Sequence, residues 1–335
     1  MMRLLMIGGT LFLGRHIVEA ALAAGHEVTM FNRGRTNDDL FPSVERIRGD
    51  RNHDLDRLVG RRWDVVIDTC GYLPAQLHAA AMALREAVSL YIFISSISVY
   101  DWPIPFGADE TAALATMDEA LADRFDVEHY GALKARCERA LTALMGERAL
   151  NVRAGLLIGP YDPTGRLGYW IDRVADGGEM LVPGRLDRTL QLIDTRDVAG
   201  WLLRMGSEQR GGTFNVTGPV RPLTMDRLLS DIAAVTGSDP QRCVVDEAFL
   251  LANEVQPFNE LPLWLPADQA GMLNVDIGRA VAAGLSFRPL RDSVADIAAW
   301  QRENQAKATL ASGITMGSTL SRQREATLLA AYRDR

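Results

Sequence analysis

Two side chains in the middle of the chain, Tyr130 and Lys134, could carry out acid–base chemistry together. They lie in the segment His129-Tyr-Gly-Ala-Leu-Lys134, and residues 126–144 contain few helix breakers, which predicts a helix. Residues four apart share one face of a helix, and an ammonium group beside a phenol lowers the phenol pKa toward working pH. Such a tyrosine can exchange a proton with a substrate oxygen whose carbon exchanges hydride with a nicotinamide. Because Tyr-x-x-x-Lys also arises by chance in helices, its meaning depends on the elements around it.

A glycine turn near the N-terminus would place a dinucleotide beside this pair. The apolar segment Arg3–Ile7 predicts a buried strand, and it leads through Gly8-Gly-Thr-Leu-Phe-Leu-Gly14 into an apolar-periodic helix. Gly8 suits the tight turn, Gly9 lets the backbone approach a pyrophosphate, and Gly14 lets helix and strand pack closely. The phosphates would lie at the helix N-terminus, where amide groups and the helix dipole favour anions. The predicted cofactor-binding residues of the turn are Gly8, Gly9, Thr10, Phe12, Leu13 and Gly14.

A strand that ends in hydroxyl groups lies between these two features. The segment Leu90-Tyr-Ile-Phe-Ile-Ser-Ser-Ile-Ser-Val-Tyr100 is strongly apolar up to Ser95, Ser96 and Ser98. In an open parallel sheet, ligands bind beyond the carboxyl ends of the strands. A serine at that edge can hydrogen-bond to a substrate carbonyl and polarise it, although the same hydroxyls could instead satisfy backbone groups at the strand end.

In this order, the glycine turn, the strand-end serine and Tyr-x-x-x-Lys resemble the short-chain dehydrogenase/reductase superfamily. The length and the C-terminal half resemble its extended, epimerase/dehydratase-like branch, up to about Asn304. The resemblance implies that Tyr130 is the catalytic acid/base, that Lys134 is its partner and a ribose ligand, and that Ser96 polarises the carbonyl. It implies an NAD(P)-dependent oxidoreductase or epimerase acting on a carbonyl or secondary alcohol, including that of a sugar or sugar nucleotide. The alternative is a non-catalytic nucleotide sensor or RNA-binding protein of the same fold.

Several positions depart from the common pattern of this superfamily. Leu11 replaces the middle glycine of the turn, as in atypical branches with Gly-Gly-Thr-x-Phe-x-Gly. Ile97 and Ser98 stand where the dehydratases have an Asp-Glu pair, which disfavours a sugar 4,6-dehydratase and a sugar-acid decarboxylase. Leu190 stands where sugar-nucleotide members have an arginine that grips the substrate pyrophosphate. Arg188, two residues earlier, is a candidate substitute; otherwise the substrate is not a nucleotide sugar.

The end of the second predicted strand bears on the choice between NADP and NAD. Its sequence, Phe31-Asn-Arg-Gly-Arg35, lacks the carboxylate that binds the ribose 2′-hydroxyl in NAD enzymes. Arg33 and Arg35 could instead grip a 2′-phosphate, so we predict NADP as the cofactor, with NAD as the alternative. Asn32 and Asp50 complete the predicted cofactor site. Asp50 matches a family position that often binds the adenine amine, and it could equally cap the next helix.

Strand-like and helical segments alternate through the first half of the chain. This predicts an α/β fold: a doubly wound parallel sheet of the Rossmann type with a small C-terminal substrate lobe. The predicted strands cover residues 4–7, 27–31, 45–48, 64–68, 90–94 and 151–153.

The second half of the chain is divided less clearly. We expect residues 1–155 to form the nucleotide-binding domain, and residues 190–218 to return to its sheet through segments 191–199 and 214–218. Residues 156–189 and 219–310 would form the substrate lobe. Residues 311–335 would form a tail whose helix is capped by Ser321. The acidic, alanine-rich residues 102–127 are either a solvated insertion or a lid over the active site.

Composition limits the partners of the chain. Its 335 residues are 47% hydrophobic and 24% charged, with a formal net charge of −7, which argues against a nucleic-acid partner. We find no apolar run long enough for a membrane span and no room for a signal peptide before the first strand, so we expect a cytoplasmic protein. Cys70, Cys137 and Cys243 match no metal-binding spacing. The expected partner is a small-molecule carbonyl or sugar substrate, and the C-terminal helix could dock on the body or form a homodimer.

Overall fold

Strands and helices alternate along the chain in the structure, a computed structural model that describes residues 1–304 and 319–335. The strands are β1 (Arg3–Ile7), β2 (Glu27–Asn32), β3 (Glu45–Arg48), β4 (Trp63–Asp68), β5 (Val88–Ser96), β6 (Ala149–Ala154), β7 (Leu156–Ile158), β8 (Glu179–Pro183), β9 (Thr189–Leu190), β10 (Leu192–Asp194), β11 (Gly212–Val216), β12 (Leu223–Thr224) and β13 (Gln241–Val245). The helices are α1 (Phe12–Ala23), α2 (Pro74–Leu84), α3 (Tyr130–Met145), α4 (Arg166–Ala175), α5 (Thr195–Ser207), α6 (Met225–Thr236), α7 (Glu247–Ala252), α8 (Gly278–Ala282), α9 (Leu290–Asn304) and α10 (Arg322–Arg333).

Seven of these strands form one parallel sheet in the order β11-β6-β5-β4-β1-β2-β3. All six predicted strands are present in it, and the predicted Rossmann-type fold is confirmed. The chain proceeds outward from β1 to β3 and then returns to β4 on the other side of β1. The crevice between β1 and β4 at the carboxyl ends of the strands is where such sheets bind ligands.

Helices cover both faces of the sheet because successive residues of a strand point to opposite sides. In β1, Leu4 and Met6 belong to an apolar cluster with α1 and α5, whereas Leu5 and Ile7 belong to a second cluster with α2 and α3. All four side chains are buried. The strand is therefore apolar on both faces, as expected for a central strand of a covered parallel sheet.

The remaining strands pair in three small sheets, β7 with β10, β8 with β13 and β9 with β12. These small sheets share one apolar cluster with α4, α6, α9 and α10. The side chains of Trp170 and Trp264 lie in this cluster and are fully buried. Residues 214–216 lie in β11 of the main sheet, as predicted. Residues 191–199 do not return there: β10 pairs with β7, and the Asp194 carboxylate then caps α5 by accepting from Arg196 N at 2.9 Å. The expected boundary at residues 310/311 lies outside the described residues.

The C-terminal helix is capped by Ser321, as predicted, since its Oγ accepts from Arg324 N at 3.2 Å. α10 docks on the body of the same chain. The Glu325 carboxylate lies 2.7 Å from Nε of Arg173 in α4, and both side chains are buried. Glu325 also accepts from the Leu181 amide at 2.9 Å, so the helix is tied to both α4 and β8.

α3 begins at Tyr130, four residues later than predicted. Residues 126–129 form a turn instead, in which Asp126 accepts from the amides of Glu128 and His129. Tyr130 is therefore in the first turn of the helix and Lys134 in the next. Within the described part of the chain, we find no helix with both the length and the apolar character needed to span a bilayer.

Candidate active site

The glycine turn after β1 has a backbone conformation that requires its glycines. Gly8 and Gly9 have φ angles of +109° and +95°, which L side chains rarely adopt. A β-carbon at Gly14 would lie 3.0 Å from Cα of Gly9, so α1 packs directly on the turn. Leu11 is the N-cap residue of α1 and makes no side-chain capping bond. The first turn of α1 contains no acidic residue. The helix N-terminus can therefore receive an anionic group.

Two asparagine side chains, one at the end of β2 and one in the loop after it, hold this turn in position. Asn32 Nδ2 donates to the Gly8 carbonyl oxygen at 2.9 Å. Asn37 Nδ2 donates to the Thr10 carbonyl oxygen at 2.9 Å. Asn32 was predicted as a cofactor-binding residue, whereas Asn37 was not, because a loop asparagine carries no distinctive spacing. The other predicted turn residues form the first turn of α1, namely Phe12 and Leu13.

The charged residues that were predicted to bind the cofactor and to determine its identity lie at the carboxyl ends of β2 and β3. Arg33 and Arg35 are exposed. Asp50 Oδ1 accepts from N and Nδ2 of Asn52 at 2.9 Å and 2.8 Å, so Asp50 closes a local turn. These hydrogen bonds, together with the charge of Arg33, lower the Asp50 pKa. Asp50 and Arg33 therefore lie near each other, beyond the carboxyl ends of β3 and β2.

Ser96 is the last residue of β5, and its hydroxyl starts the 3₁₀ turn Ile97–Val99. Its Oγ accepts from Ser98 N at 3.1 Å and lies 3.1 Å from Ser98 Oγ. α3 approaches this turn closely, because a β-carbon at Gly131 would lie 2.0 Å from the Ser98 carbonyl oxygen. The close approach places Tyr130, the first residue of α3, near enough to Ser96 for that side chain to lower the pKa of the phenol.

Lys134 is buried under this pair. Its Nζ donates to the carbonyl oxygens of Gly71 and Ile94, at 2.9 Å and 2.7 Å. The same atom lies 6.0 Å from the ring centroid of Tyr130 and 5.3 Å from that of Tyr72. The fold thus brings Ser96, Tyr130 and Lys134 together at the carboxyl end of β5.

The expected lowering of the tyrosine pKa by Lys134 is wrong for this structure. Burial and, to a smaller extent, the neighbouring Tyr72 together raise the pKa of Tyr130 to about 12, and the side chain of Ser96 opposes both effects. Burial also lowers the pKa of Lys134 to about 8. The physical reason is that Lys134 gives its hydrogen bonds to two backbone carbonyls, so desolvation of the phenol outweighs the ammonium charge.

Residues 102–127, called the covering segment below, reach the tyrosine. The ring of Phe125 lies 5.4 Å from that of Tyr72 and 6.5 Å from that of Tyr130, with both pairs nearly perpendicular. The placement favours a lid over a solvated insertion. Sequence reasoning missed Tyr72 and Gly131. A glycine directly after the tyrosine of a predicted helix is a signal for Gly131, since glycine is costly inside a helix.

Two of the positions that depart from the superfamily pattern, and the candidate substitute Arg188, have different surroundings. Ile97 and Leu190 are buried in apolar clusters. Neither can therefore take over the role of the polar residue that is usual at its position. Arg188 differs: its Nε and Nη2 are buried and have no hydrogen-bond partner among residues 1–304 and 319–335. Burial lowers the pKa of Arg188 to about 10, with the charge of Glu247 opposing the change. No group of three or more potential metal ligands is present among the described residues.

The glycine turn and the Ser-Tyr-Lys site define a member of the NAD dependent epimerase/dehydratase family, and the chain belongs to that family over residues 4–217. One curated relative is the chloroplast stem-loop binding protein of 41 kDa b of Arabidopsis thaliana, 26% identical over 255 residues. That match covers 70% of this chain, and the chain spans 63% of the relative's length.

Solved structures of epimerases share the fold. UDP-glucose 4-epimerase from Thermotoga maritima, solved with UDP-glucose, is 17% identical with a TM-score of 0.66, covering 91% of this chain and 100% of that one. UDP-glucuronic acid 4-epimerase from Bacillus cereus, solved with NAD, is 15% identical with a TM-score of 0.65, covering 90% of this chain and 99% of that one.

Proposed function

We propose that this chain is a nicotinamide-dependent enzyme that oxidises and reduces a secondary alcohol or carbonyl, as an epimerase or a reductase. The observation that carries the proposal is the convergence of Ser96, Tyr130 and Lys134 at the carboxyl end of β5, on the same edge of the parallel sheet as a glycine turn that fits a dinucleotide. A bound nicotinamide would supply hydride chemistry. Ser96 would hydrogen-bond to the substrate oxygen, and Tyr130 would exchange a proton with it.

Cofactor binding rests on the glycine turn. Gly8, Gly9 and Gly14 keep side chains away from the N-terminus of α1, where a pyrophosphate would find amide groups. Lys134 would bind the nicotinamide ribose. A ribose hydroxyl that accepts from Nζ would compete with the carbonyls of Gly71 and Ile94 and bring the ammonium charge to bear on Tyr130.

The substrate is proposed to carry an anionic group that meets Arg188. Two buried guanidinium nitrogens of Arg188, Nε and Nη2, have no hydrogen-bond partner among the described residues; leaving them so is costly, and an anion would supply their hydrogen bonds. UDP-glucose is a suitable probe because a solved relative of this fold binds it. Binding of UDP-glucose by the wild type, lost in Arg188→Gln, would support a nucleotide sugar held by Arg188. Equal binding by both would show that Arg188 does not hold the anionic group, and no binding by the wild type would assign the substrate to another class.

Tyr130→Phe tests the enzyme proposal. We expect turnover of UDP-glucose or a simple ketone to fall by about a hundredfold or more, because a positioned acid/base contributes that much, while nicotinamide nucleotide still binds. Nucleotide that survives gel filtration with the protein would favour an epimerase, and exchangeable nucleotide a reductase. Unchanged turnover in the variant would refute the catalytic role of Tyr130.

The rival function is RNA binding, since the named relative is a stem-loop binding protein. The net charge of −7 opposes it. A stem-loop RNA bound equally by the wild type and Tyr130→Phe, with no turnover by either, would replace the enzyme proposal.

A further inference from the structure

Exposed aromatic residues concentrate around the covering segment. Tyr72, Trp102, Phe106 and Phe125 are each between 38% and 61% exposed. Three of them lie within residues 102–127, and the fourth packs on Phe125. Scattered exposed apolar residues need no explanation, but a local concentration of them marks a binding surface.

Three rings stand in series at the catalytic tyrosine. Phe125 contacts Tyr72 and Tyr130 at centroid distances of 5.4 Å and 6.5 Å, with interplanar angles of 77° and 78°. Both distances fall in the range of edge-to-face aromatic pairs. Phe125 therefore occupies the space between the two phenols and contributes to the burial of Tyr130.

Tyr72 is fixed in place. Its amide donates to Gln76 Oε1 at 3.1 Å, and Gln76 Nε2 donates to Asn52 Oδ1 at 3.0 Å. The preceding carbonyl, that of Gly71, accepts from Lys134 at 2.9 Å. The backbone at Tyr72 is thus tied to the catalytic lysine on one side and to the loop after β3 on the other.

The two halves of the covering segment are held differently. The first half is tied to the body, since Gly107 N donates to Asn274 O at 2.7 Å and the Glu110 carbonyl accepts from buried Arg153 at 3.1 Å. The second half, residues 116–127, contains Phe125 and bonds to near neighbours in the chain, as in the turn Glu119–Leu121. Besides the ring contact of Phe125 with Tyr130, it meets α3 through an ion pair at 3.4 Å between Arg136 and Glu119, and Glu119 is 93% exposed. Such a pair contributes little, so this half can open at low cost.

We propose that Phe125 and Tyr72 form an aromatic gate that determines specificity, admitting a cyclic substrate whose apolar ring face stacks where Phe125 now lies. The proposal rests on the enzymatic function given above. An aromatic ring face packs well against the C–H face of a saturated ring, whereas an open chain must lose more conformational entropy to make the same contact. The gate is thus a selective device beside the Ser-Tyr-Lys site and takes no part in proton transfer.

Nitration of Tyr130 by tetranitromethane, followed by mass spectrometry, tests the gate without turnover. Phe125→Ala should nitrate roughly two- to tenfold faster than the wild type, as expected for loss of an aromatic contact. Phe106→Ala is the matched control, because it removes another exposed aromatic of the same segment, and its rate should equal that of the wild type. Equal rates in the wild type and Phe125→Ala would overturn the gate.

Ring selection is tested with two six-carbon ketones, cyclohexanone and 2-hexanone. In the presence of NADP, cyclohexanone should slow the nitration of Tyr130 more than 2-hexanone does, and Tyr72→Leu should abolish that difference. Equal protection by both ketones in the wild type would overturn the proposal. Failure of the enzymatic function appears separately, as unchanged turnover in Tyr130→Phe.

Discussion

Gly131 lies against the backbone of Ser98 so closely that a β-carbon at residue 131 would be 2.0 Å from the Ser98 carbonyl oxygen. The neighbouring atom belongs to the backbone of the turn that Ser96 starts, so it cannot move aside without moving that turn. The closest point between α3 and the end of β5 is therefore a glycine, and it is adjacent to Tyr130. The placement of Tyr130 beside the Ser96 turn depends on this contact.

Gly131→Ala should separate α3 from the Ser96 turn. We expect turnover to fall by about a hundredfold, as if the acid/base were removed, and the free energy of unfolding to fall by about 1–3 kcal/mol from overpacking. Steady-state kinetics and urea denaturation measure the two effects. Gly200→Ala in α5 is the matched control, because its β-carbon meets nothing within 4 Å, and it should be neutral or slightly stabilising. Equal behaviour of the two variants would contradict the packing argument.

Most strands of the sheet could be predicted because they are short apolar runs bounded by turn residues, although β3, with the sequence Glu45-Arg-Ile-Arg48, is not such a run. The spatial convergence of Ser96, Tyr130 and Lys134 could be predicted because their order along the chain matches a superfamily pattern; their catalytic role stays a prediction. The start of α3 was misplaced because Asp126 forms a turn with His129, a choice that local composition does not decide. The aromatic contact between Phe125 and Tyr72 joins residues 53 positions apart in the sequence. Such contacts depend on the path of a loop, which periodicity does not describe.

The direction of the Tyr130 pKa shift could not be predicted from the sequence. Sequence spacing places Lys134 on the face of Tyr130 but does not show where its Nζ donates. Two backbone carbonyls, those of Gly71 and Ile94, take its hydrogen bonds. Burial of the phenol then prevails, and no sequence pattern reports the depth of burial.

Lys134 should make stability depend on pH between about 8 and 10.5. Burial lowers its pKa from 10.5 to about 8, so in this window the unfolded chain binds more protons than the folded one, and stability rises with pH. Nearby Cys70 and Cys137, whose pKa values burial raises, act in the opposite direction. The effect of Lys134 is therefore the difference between the wild type and Lys134→Met.

Chemical denaturation at pH 7 and pH 10 gives that difference. The wild type should gain roughly 2.5 kcal/mol relative to Lys134→Met between these pH values. Because the Lys134 charge also lowers the pKa values of both thiols, Cys70 and Cys137 are replaced by alanine in the two proteins that are compared. A difference that is constant with pH, or that moves toward the variant, would show that Lys134 keeps an ordinary pKa in the folded chain.

The buried pair between Arg173 and Glu325 should determine whether α10 stays docked. Glu325→Gln leaves the guanidinium buried without its counter-charge, and such a loss costs about 3–5 kcal/mol. Asp176→Asn is the control, because the pair of Asp176 with Arg322 joins the same helix to the body but is about half exposed and should cost less than about 1 kcal/mol. Urea denaturation with limited proteolysis at the C-terminus measures both. Equal losses would mean that apolar contacts alone fix α10.

The cationic cluster after β2 is divided between paired and exposed arginines. Arg46 and Arg48 both form ion pairs with the Asp38 carboxylate, so a carboxylate of the same chain already compensates their charge. Arg33 and Arg35, in the loop between β2 and β3, are exposed. Asn32, at the position where NAD enzymes place a carboxylate, uses its amide to hold Gly8. A 2′-phosphate would therefore meet cations at this edge and no carboxylate at the end of β2.

We expect NADPH to bind at least tenfold more tightly than NADH, because one charge-assisted hydrogen bond contributes about 1.5–3 kcal/mol. The double variant Arg33→Ala/Arg35→Ala should lose that preference and keep its affinity for NADH. Arg85→Ala, which removes an exposed arginine at the end of α2, should change neither affinity. Fluorescence titration at fixed low salt measures both nucleotides, since ions screen exposed contacts. The family is named for NAD, so the opposite result is a real alternative. Equal affinities or an NADH preference in the wild type would mean that Arg33 and Arg35 only face solvent, and that the ribose hydroxyls bind elsewhere on the loop.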